Sequence, residues 1–387
     1  VAAPPYDVVS SAEARAYAAG NPDCFFRVSR PEIDLPADID EHTDQVYEKG
    51  RVNLAELLGS GTLRVDPEPH FYVYRQRMGD HLQTGLVAAA SVEEYDKGQI
   101  RKHELTRADK EDDRTRHIDV LGANDEPVFL TYRARAEIDQ SIAQITAGAP
   151  EYDFTTEDGI GHTFWVAAPA ASPGLAEAFS HVKVLYIADG HHRSAAASRV
   201  AKLRGQKKGE HGFFLAVVFP HDQLKILPYN RVVRDLYGRS AADLLEKLAD
   251  KFTIDRNGRA HPERPHQFGM YLDEHWFTLE AKPGSFPETP TGQLDVSILQ
   301  VNLLQPLLGI SDPRKDARVD FVGGIRGTRE LERRVDDEVA RVAFTLYPTG
   351  VEQMMTIADA NEIMPPKSTW FEPKLRSGLV VHLFEPR

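Results

Sequence analysis

Ile187 to Ala197 reads I-A-D-G-H-H-R-S-A-A-A, an apolar run that passes through Asp189-Gly190 directly into an alanine-rich, helix-forming stretch. The opening turn of a helix has unpaired backbone N–H groups and a partial positive charge, so it favours an anion. Gly190 permits a sharp turn and leaves no Cβ in the way of a ligand, while His191, His192 and Arg193 add donors within the same turn. Cations gathered at a helix N-terminus oppose the dipole, and a bound anion compensates for that. The pattern predicts a phosphate site at Gly190–Arg193 with Asp189 beside it. The plainer alternative is a helix capped by Asp189 with a solvated His-His-Arg run. Adjacent helical residues point about 100° apart, so His191 and His192 do not readily chelate one ion, and no metal ligands are assigned. Cys24, the single cysteine, excludes a multi-thiolate centre.

A second segment, R-K-H-E-L-T-R-A-D-K-E-D-D-R-T-R-H from Arg101 to His117, reads as a helix. On it His103, Arg107, Lys110, Arg114 and His117 fall along one stripe, a cationic ridge able to neutralise phosphoryl charge. An exposed helix laced with i,i+4 ion pairs is the competing reading. His103-Glu104 begins H-E-x-x-R, so the zinc-protease pattern fails at Arg107. Glu104, set among cations, is the candidate general base, with complementation of the helix dipole as its plainer role. Lys367-Ser368-Thr369 lacks the glycines of a P-loop and is either a phosphate contact or a turn. Val322 to Gly327 (V-G-G-I-R-G) lacks the first glycine of a dinucleotide fingerprint and reads as a turn.

The elements that would position these residues follow from period and punctuation. Ser10 to Glu13 is a capping box opening a helix that stops at Gly20, and a second helix covers about 38–58. Residues 71–76 and 84–92 form a hairpin around M-G-D-H. Strands are expected at 127–132, 163–168, 183–188 and 213–219, with a helix at 191–204. Beyond Pro220 come a helix at 241–252, strands within 268–279, a helix at 294–308 kinked at Pro306, a capping box at Thr349–Glu352 and a closing strand at 379–384. Strands and helices without a regular βαβ rhythm indicate an α+β fold, divided into regions 1–220 and 221–387. A net charge of −13 disfavours bulk nucleic-acid affinity. No apolar run is long enough to span a bilayer, no signal or transit segment is evident, and one buried thiol fits a reducing cytoplasm.

Four segments occur in one order: A-P-P-Y-D-V, K-H-E-x-T with a following D-R, I-A-D-G-H-H-R, and M-P-P-K-S-T-W-F-E-P-K. In these the chain resembles a bacterial and archaeal family filed as a domain of unknown function, often labelled ParB/SpoOJ-like, which includes free-serine kinases of the SerK type. The resemblance implies a ParB/sulfiredoxin-like mixed-sheet nucleotide-binding core in 1–220, with a C-terminal α+β extension in 221–387. Gly190 and Arg193 match the Gly-x-x-Arg that holds nucleotide phosphates in that superfamily. It further implies phosphoryl transfer from ATP or ADP, with Mg2+, to a small hydroxylated metabolite such as free serine. With that activity, the residues singled out above give Glu104, His103 and Asp189 as the expected catalytic set, with Asp189 or Asp7 near Mg2+. Gly190, His191, His192, Arg193, Arg107, Lys110 and Arg114 form the nucleotide-binding set. A nucleotide-binding regulator of the ParB type and a non-catalytic scaffold are the alternatives. Expected partners are the nucleotide and the metabolite, with a second copy of the chain as a candidate homodimer partner.

Overall fold

Alternating apolar residues on either side of Gly79-Asp80 fold into the expected hairpin. Tyr72–Met78 pairs antiparallel with His81–Ser91, and Met78 faces His81 across a two-residue turn. Gly79 takes φ +59°, which gives the turn the hand that matches strand twist. The structure is a computed structural model and describes residues 1–205 and 209–385. The chain divides into two units, Val1–Leu224 with Pro373–Arg387, and Lys225–Glu372. Mixed sheets and helices make it an α+β protein. Among the described residues no helix is long and apolar enough to cross a membrane.

The first unit is built on an eight-stranded sheet in the order Ile100–Arg101, Leu185–Asp189, Val128–Tyr132, Phe213–Pro220, His81–Ser91, Tyr72–Met78, Gly161–Val166, Tyr152–Thr155. Two pairings are parallel, Ile100–Arg101 with Leu185–Asp189 and Val128–Tyr132 with Phe213–Pro220; the others are antiparallel. The interior strands are apolar on both faces, as Val128–Tyr132 shows with every residue buried. Helix His191–Leu203 lays Ala197 and Ala201 against Val128, Leu130, Ile187, Ala216 and Val218. Small side chains let its backbone come close to the sheet. Helix Ala108–Leu121 contributes Ile118 to a cluster with Ala196, Val200 and Phe384. Around the N-terminus, helices Ser11–Ala18 and Asp44–Gly59 bury Ala14, Leu54 and Leu57 with Phe25, Phe26 and Cys24. The Ser10 hydroxyl and the Glu13 side chain form the expected capping box.

Residues from Pro373 onward, which the sequence division placed in the second region, run with the first unit. Ala3 bridges Ser377, and His382–Leu383 pairs antiparallel with Ala123–Asn124. The closing strand is therefore two residues long rather than the six expected at 379–384.

The second unit carries a six-stranded antiparallel sheet in the order Phe252–Asp255, His275–Ala281, Gln267–Leu272, Val342–Leu346, Tyr229–Val233, Val319–Gly323. Helix Gly327–Asp336 buries Leu331 and Val335 against Val232, Tyr271, Val322 and Ala343. The helix expected over 294–308 is shorter: α-helix Asp295–Leu299 widens into a π turn at Gln300–Leu304, just before Pro306, which has no N–H to continue it. The expected Thr349 cap moves by one residue. Gly350 precedes helix Val351–Asp359 and its N–H donates to Gln353, while the Thr349 hydroxyl donates to the Ser368 carbonyl. Lys367, at φ +58°, belongs to a turn whose carbonyl accepts from Arg231, and its ammonium lies over the Tyr229 ring.

The long charged helix of 101–117 is corrected. Ile100–Arg101 pairs with Leu185–Tyr186, and Ile100 is buried, so the sheet claims the start of that segment. The chain then turns through 102–107, where the Thr106 hydroxyl donates to Glu111, and the helix begins only at Ala108. No helix underlies His103 or Arg107, so the five-residue cationic stripe does not exist as a surface. A helical period was matched by residues whose backbone serves a strand and a turn.

Candidate functional site

Leu185–Asp189 is an interior strand, and the chain leaves it by a turn at Gly190, whose φ of +98° and ψ of 30° an L side chain adopts only under strain. Helix His191–Leu203 starts there with no side-chain cap on its first turn. Asp189 Oδ1 accepts the Gly190 N–H at 3.0 Å, and its Oδ2 lies 3.2 Å from Lys374 Nζ and 3.6 Å from Arg193 Nη2. Burial alone would raise the Asp189 pKa, but Lys374 and then Arg193 outweigh it and hold the carboxylate well below its usual range. That suits Asp189 to fixing cations rather than to accepting a proton.

Arg193 points inward. It is 7% exposed, Nη1 donates to the Pro127 carbonyl, and its guanidinium covers Gly190 so closely that a Cβ there would sit 3.1 Å from Nε. Beneath it lies a buried charge layer. The Tyr6 N–H and the Ser377 hydroxyl both donate to Glu126 Oε1, at 2.9 and 3.0 Å. His117 Nε2 is 3.0 Å from Asp125 Oδ2. Arg114 donates to Asp113 at 2.8 Å and lies 4.0 Å over the Tyr6 ring. Burial, then the neighbouring Asp125, raises the Glu126 pKa, while Arg193 and Arg114 draw it back. Arg114, Asn124, Asp125, Glu126 and Arg193 line a space of about 10 Å³, room for one water molecule. Arg193 and Arg114 are therefore both buried with acceptors or acidic neighbours inside the protein. A desolvated guanidinium must find acceptors inside the protein, and here the Pro127 carbonyl and the acidic residues supply them.

The outer side of the turn gathers a different set. His103 and His191 meet edge to face with ring centroids 4.5 Å apart, and the backbone N–H of His103 donates to His191 Nε2 at 3.4 Å. Both are buried; desolvation pushes His103 down to about 4 and His191 well below its usual value, so both rings are neutral at pH 7. Glu104 stands beside them, half-buried. The Arg107 N–H donates to His192 Nε2 at 3.1 Å, while the Arg107 side chain is exposed and paired with Asp109 at 2.7 Å. Lys110 lies half-buried in the first turn of helix Ala108–Leu121. Of the residues singled out from sequence, His103, Glu104, Asp189, Gly190, His191, His192 and the Arg107 backbone come together, whereas Arg114 belongs to the layer below.

Sequence reasoning missed Tyr6, Asp125, Glu126 and Lys374. The acidic pair in N-D-E-P, immediately before a fully buried strand, was a legible warning, because charges at such a position need partners. Lys374 is the last residue of the M-P-P-K-S-T-W-F-E-P-K segment and reaches a partner 185 positions away.

No curated protein sequence matches the chain. Similar solved structures include a free serine kinase in complex with AMP, 12% identical over 74% of this chain and 86% of that chain, with a TM-score of 0.39. A free serine kinase mutant in complex with ADP is 13% identical over 74% and 87%, with a TM-score of 0.38. SbnI with a C-terminal truncation, from Staphylococcus aureus, is 12% identical over 75% and 85%, with a TM-score of 0.39. The family described as "Protein of unknown function (DUF1015)" matches residues 1–297, most of the chain, and the protein belongs to it.

Proposed function

We propose that the chain is a small-molecule kinase that binds ATP or ADP with Mg2+ at the Gly190 turn and transfers a phosphoryl group to a hydroxylated metabolite such as free serine. The single observation that carries this reading is the meeting of three motif segments, Lys102–Thr106, Asp189–Arg193 and Lys374, at an uncapped helix start opened by a left-handed glycine. Such a start presents N–H groups and a positive dipole end to phosphate oxygens. Lys374, held at the rim by Asp189, would add a point charge. Arg193 acts as a positioning residue, because its guanidinium shapes the Gly190 turn from inside. Mg2+ would ride on the nucleotide phosphates and keep most of its water.

Glu104 takes the proton of the acceptor hydroxyl in this scheme. The hydroxyl oxygen then attacks the terminal phosphorus, the bond to the bridging oxygen breaks, and the products are a phosphate monoester and ADP or AMP. The core that holds these parts is, on this reading, of the ParB/sulfiredoxin-like kind, and the protein works in the cytoplasm. Incubation with ATP or ADP, Mg2+ and free serine, followed by mass spectrometry, should yield phosphoserine and one nucleotide product per turnover. Absence of product with serine and with a panel of other hydroxylated metabolites, despite nucleotide binding, would make the protein a nucleotide-dependent regulator instead.

A further inference from the structure

His103 poses a problem that the nucleotide reading does not solve. It is 2% exposed, yet neither ring nitrogen has a hydrogen-bond partner of ordinary geometry; the Ile187 backbone offers only a weak contact. Leaving a buried imidazole unsatisfied costs about 1–3 kcal/mol, and native proteins rarely tolerate that without a purpose. The ring faces a second neutral, buried imidazole, His191, and the carboxylate of Glu104. One ligand atom from each of the three lies within 4.8 Å of the others. His103 and Glu104 leave the sheet together on the turn after Ile100–Arg101, and His191 is the first residue of the helix after Gly190, so two separate segments form the group. The partner of His191 in this group is not its neighbour His192 but His103, 88 residues away in sequence.

We propose that His103, Glu104 and His191 hold a first-row transition dication, in a two-imidazole, one-carboxylate site with a coordination position left for water or an anion. This ligand set is the borderline N/O donor chemistry preferred by Zn2+ and its neighbours, and is distinct from the oxygen-only chemistry of Mg2+. Ligand atoms about 2 Å from a tetrahedral ion sit about 3.3 Å from one another, so binding requires the group to contract by at most about 1.5 Å. The ion would satisfy one nitrogen of His103, and the other faces Ile187, the kind of backbone partner that fixes the tautomer of a metal-bound histidine. With the ion bound Glu104 is a ligand, so its direct proton-accepting role and the metal role exclude each other at any one moment.

The test uses the full chain, stripped with chelator and dialysed, without nucleotide. Calorimetric titration with Zn2+ should show one tight equivalent, and Co2+ should give the visible absorption of a low-coordinate site. Glu104→Gln and His103→Ala, each checked for native circular dichroism, should weaken Zn2+ binding at least ~100-fold, the upper range for losing a merely supporting partner. If His103→Ala does not fold, the half-buried Glu104 carries the test. Equal binding by wild type and Glu104→Gln, or loss of the tight equivalent in a variant lacking the surface pair His181 and Glu177, overturns the proposal. The two readings fail separately. Phosphoserine formed by stripped protein given Mg2+ alone, without stoichiometric Zn2+ binding, removes the metal site and leaves the kinase. Stoichiometric Zn2+ binding without phosphoryl transfer under either condition does the reverse.

Discussion

Replacing Arg193 by alanine tests whether this residue is an internal counter-charge. The guanidinium is almost wholly buried, donates to the Pro127 carbonyl, lies 3.6 Å from Asp189 and helps to hold the Glu126 charge. Removing one partner from a buried charge group leaves the others desolvated and unpaired, an effect of roughly 3–5 kcal/mol. In a unit of this size each kilocalorie shifts the midpoint by roughly 2–4 °C, so the transition of the first unit should fall by roughly 6–20 °C in scanning calorimetry at pH 7. Glu126→Gln, introduced into the Arg193→Ala background, removes one stranded carboxylate and should recover roughly 1–2 kcal/mol of that loss, a coupling that a double-mutant cycle isolates. An Arg193→Ala protein within about 0.5 kcal/mol of wild type, the range of ordinary surface substitutions, would refute the reasoning. Strict additivity of the two substitutions would refute it as well.

Gly190→Ala should destabilise the first unit by roughly 1–3 kcal/mol through left-handed strain and crowd the Arg193 guanidinium, whose Nε would stand 3.1 Å from the new Cβ; unchanged thermal stability contradicts the described turn. Lys374→Ala should lower nucleotide affinity about tenfold, an ordinary loss for one charge-assisted contact, measured by calorimetry, and unchanged affinity removes Lys374 from the site. In the second unit, burial raises Asp295 to about 7 against the pull of two backbone N–H groups, so the folded state holds its proton where the unfolded chain has lost it. Its contribution to stability is full below the unfolded pKa near 4 and is lost as pH rises to about 7, roughly 4 kcal/mol in all. Asp295→Asn should abolish that slope in denaturant titrations and exceed wild type at pH 8; a parallel pH profile refutes it. Ser10→Ala should cost about 1 kcal/mol, read from the same titrations, because it removes one half of the capping box.

Much of the scaffold was legible because it is encoded locally. Gly190 between an apolar run and an alanine run marked the strand-to-helix junction, and M-G-D-H marked a hairpin turn without reference to the rest of the chain. Where the reading failed, a distant partner had decided the outcome. The sheet pairing of Ile100–Arg101 with Leu185–Tyr186 cut short a segment whose charges matched helical spacing. The inner surroundings of Arg193 were equally out of local view, because the Pro127 carbonyl it donates to and the Glu126 charge near it stand more than sixty positions earlier. The same holds for His103 and His191, whose apposition depends on two segments leaving the sheet side by side. Types of residue and local period were enough to find the neighbourhood of the candidate site, but not to separate its outer face from the buried layer beneath.

The return of residues from Pro373 onward to the first unit has a consequence for how the molecule is made. Its N-terminal sheet can leave the ribosome complete in strands, yet Ser377, which donates to Glu126, and Lys374, which neutralises Asp189, follow only after all of Lys225–Glu372 has been synthesised. Until then the buried Glu126 and the half-buried Asp189 each lack a donor that the finished fold gives them. Completion of the Gly190 turn therefore waits on the last stretch of translation, and any truncation ending before Pro373 leaves Glu126 without its Ser377 donor and Asp189 without Lys374.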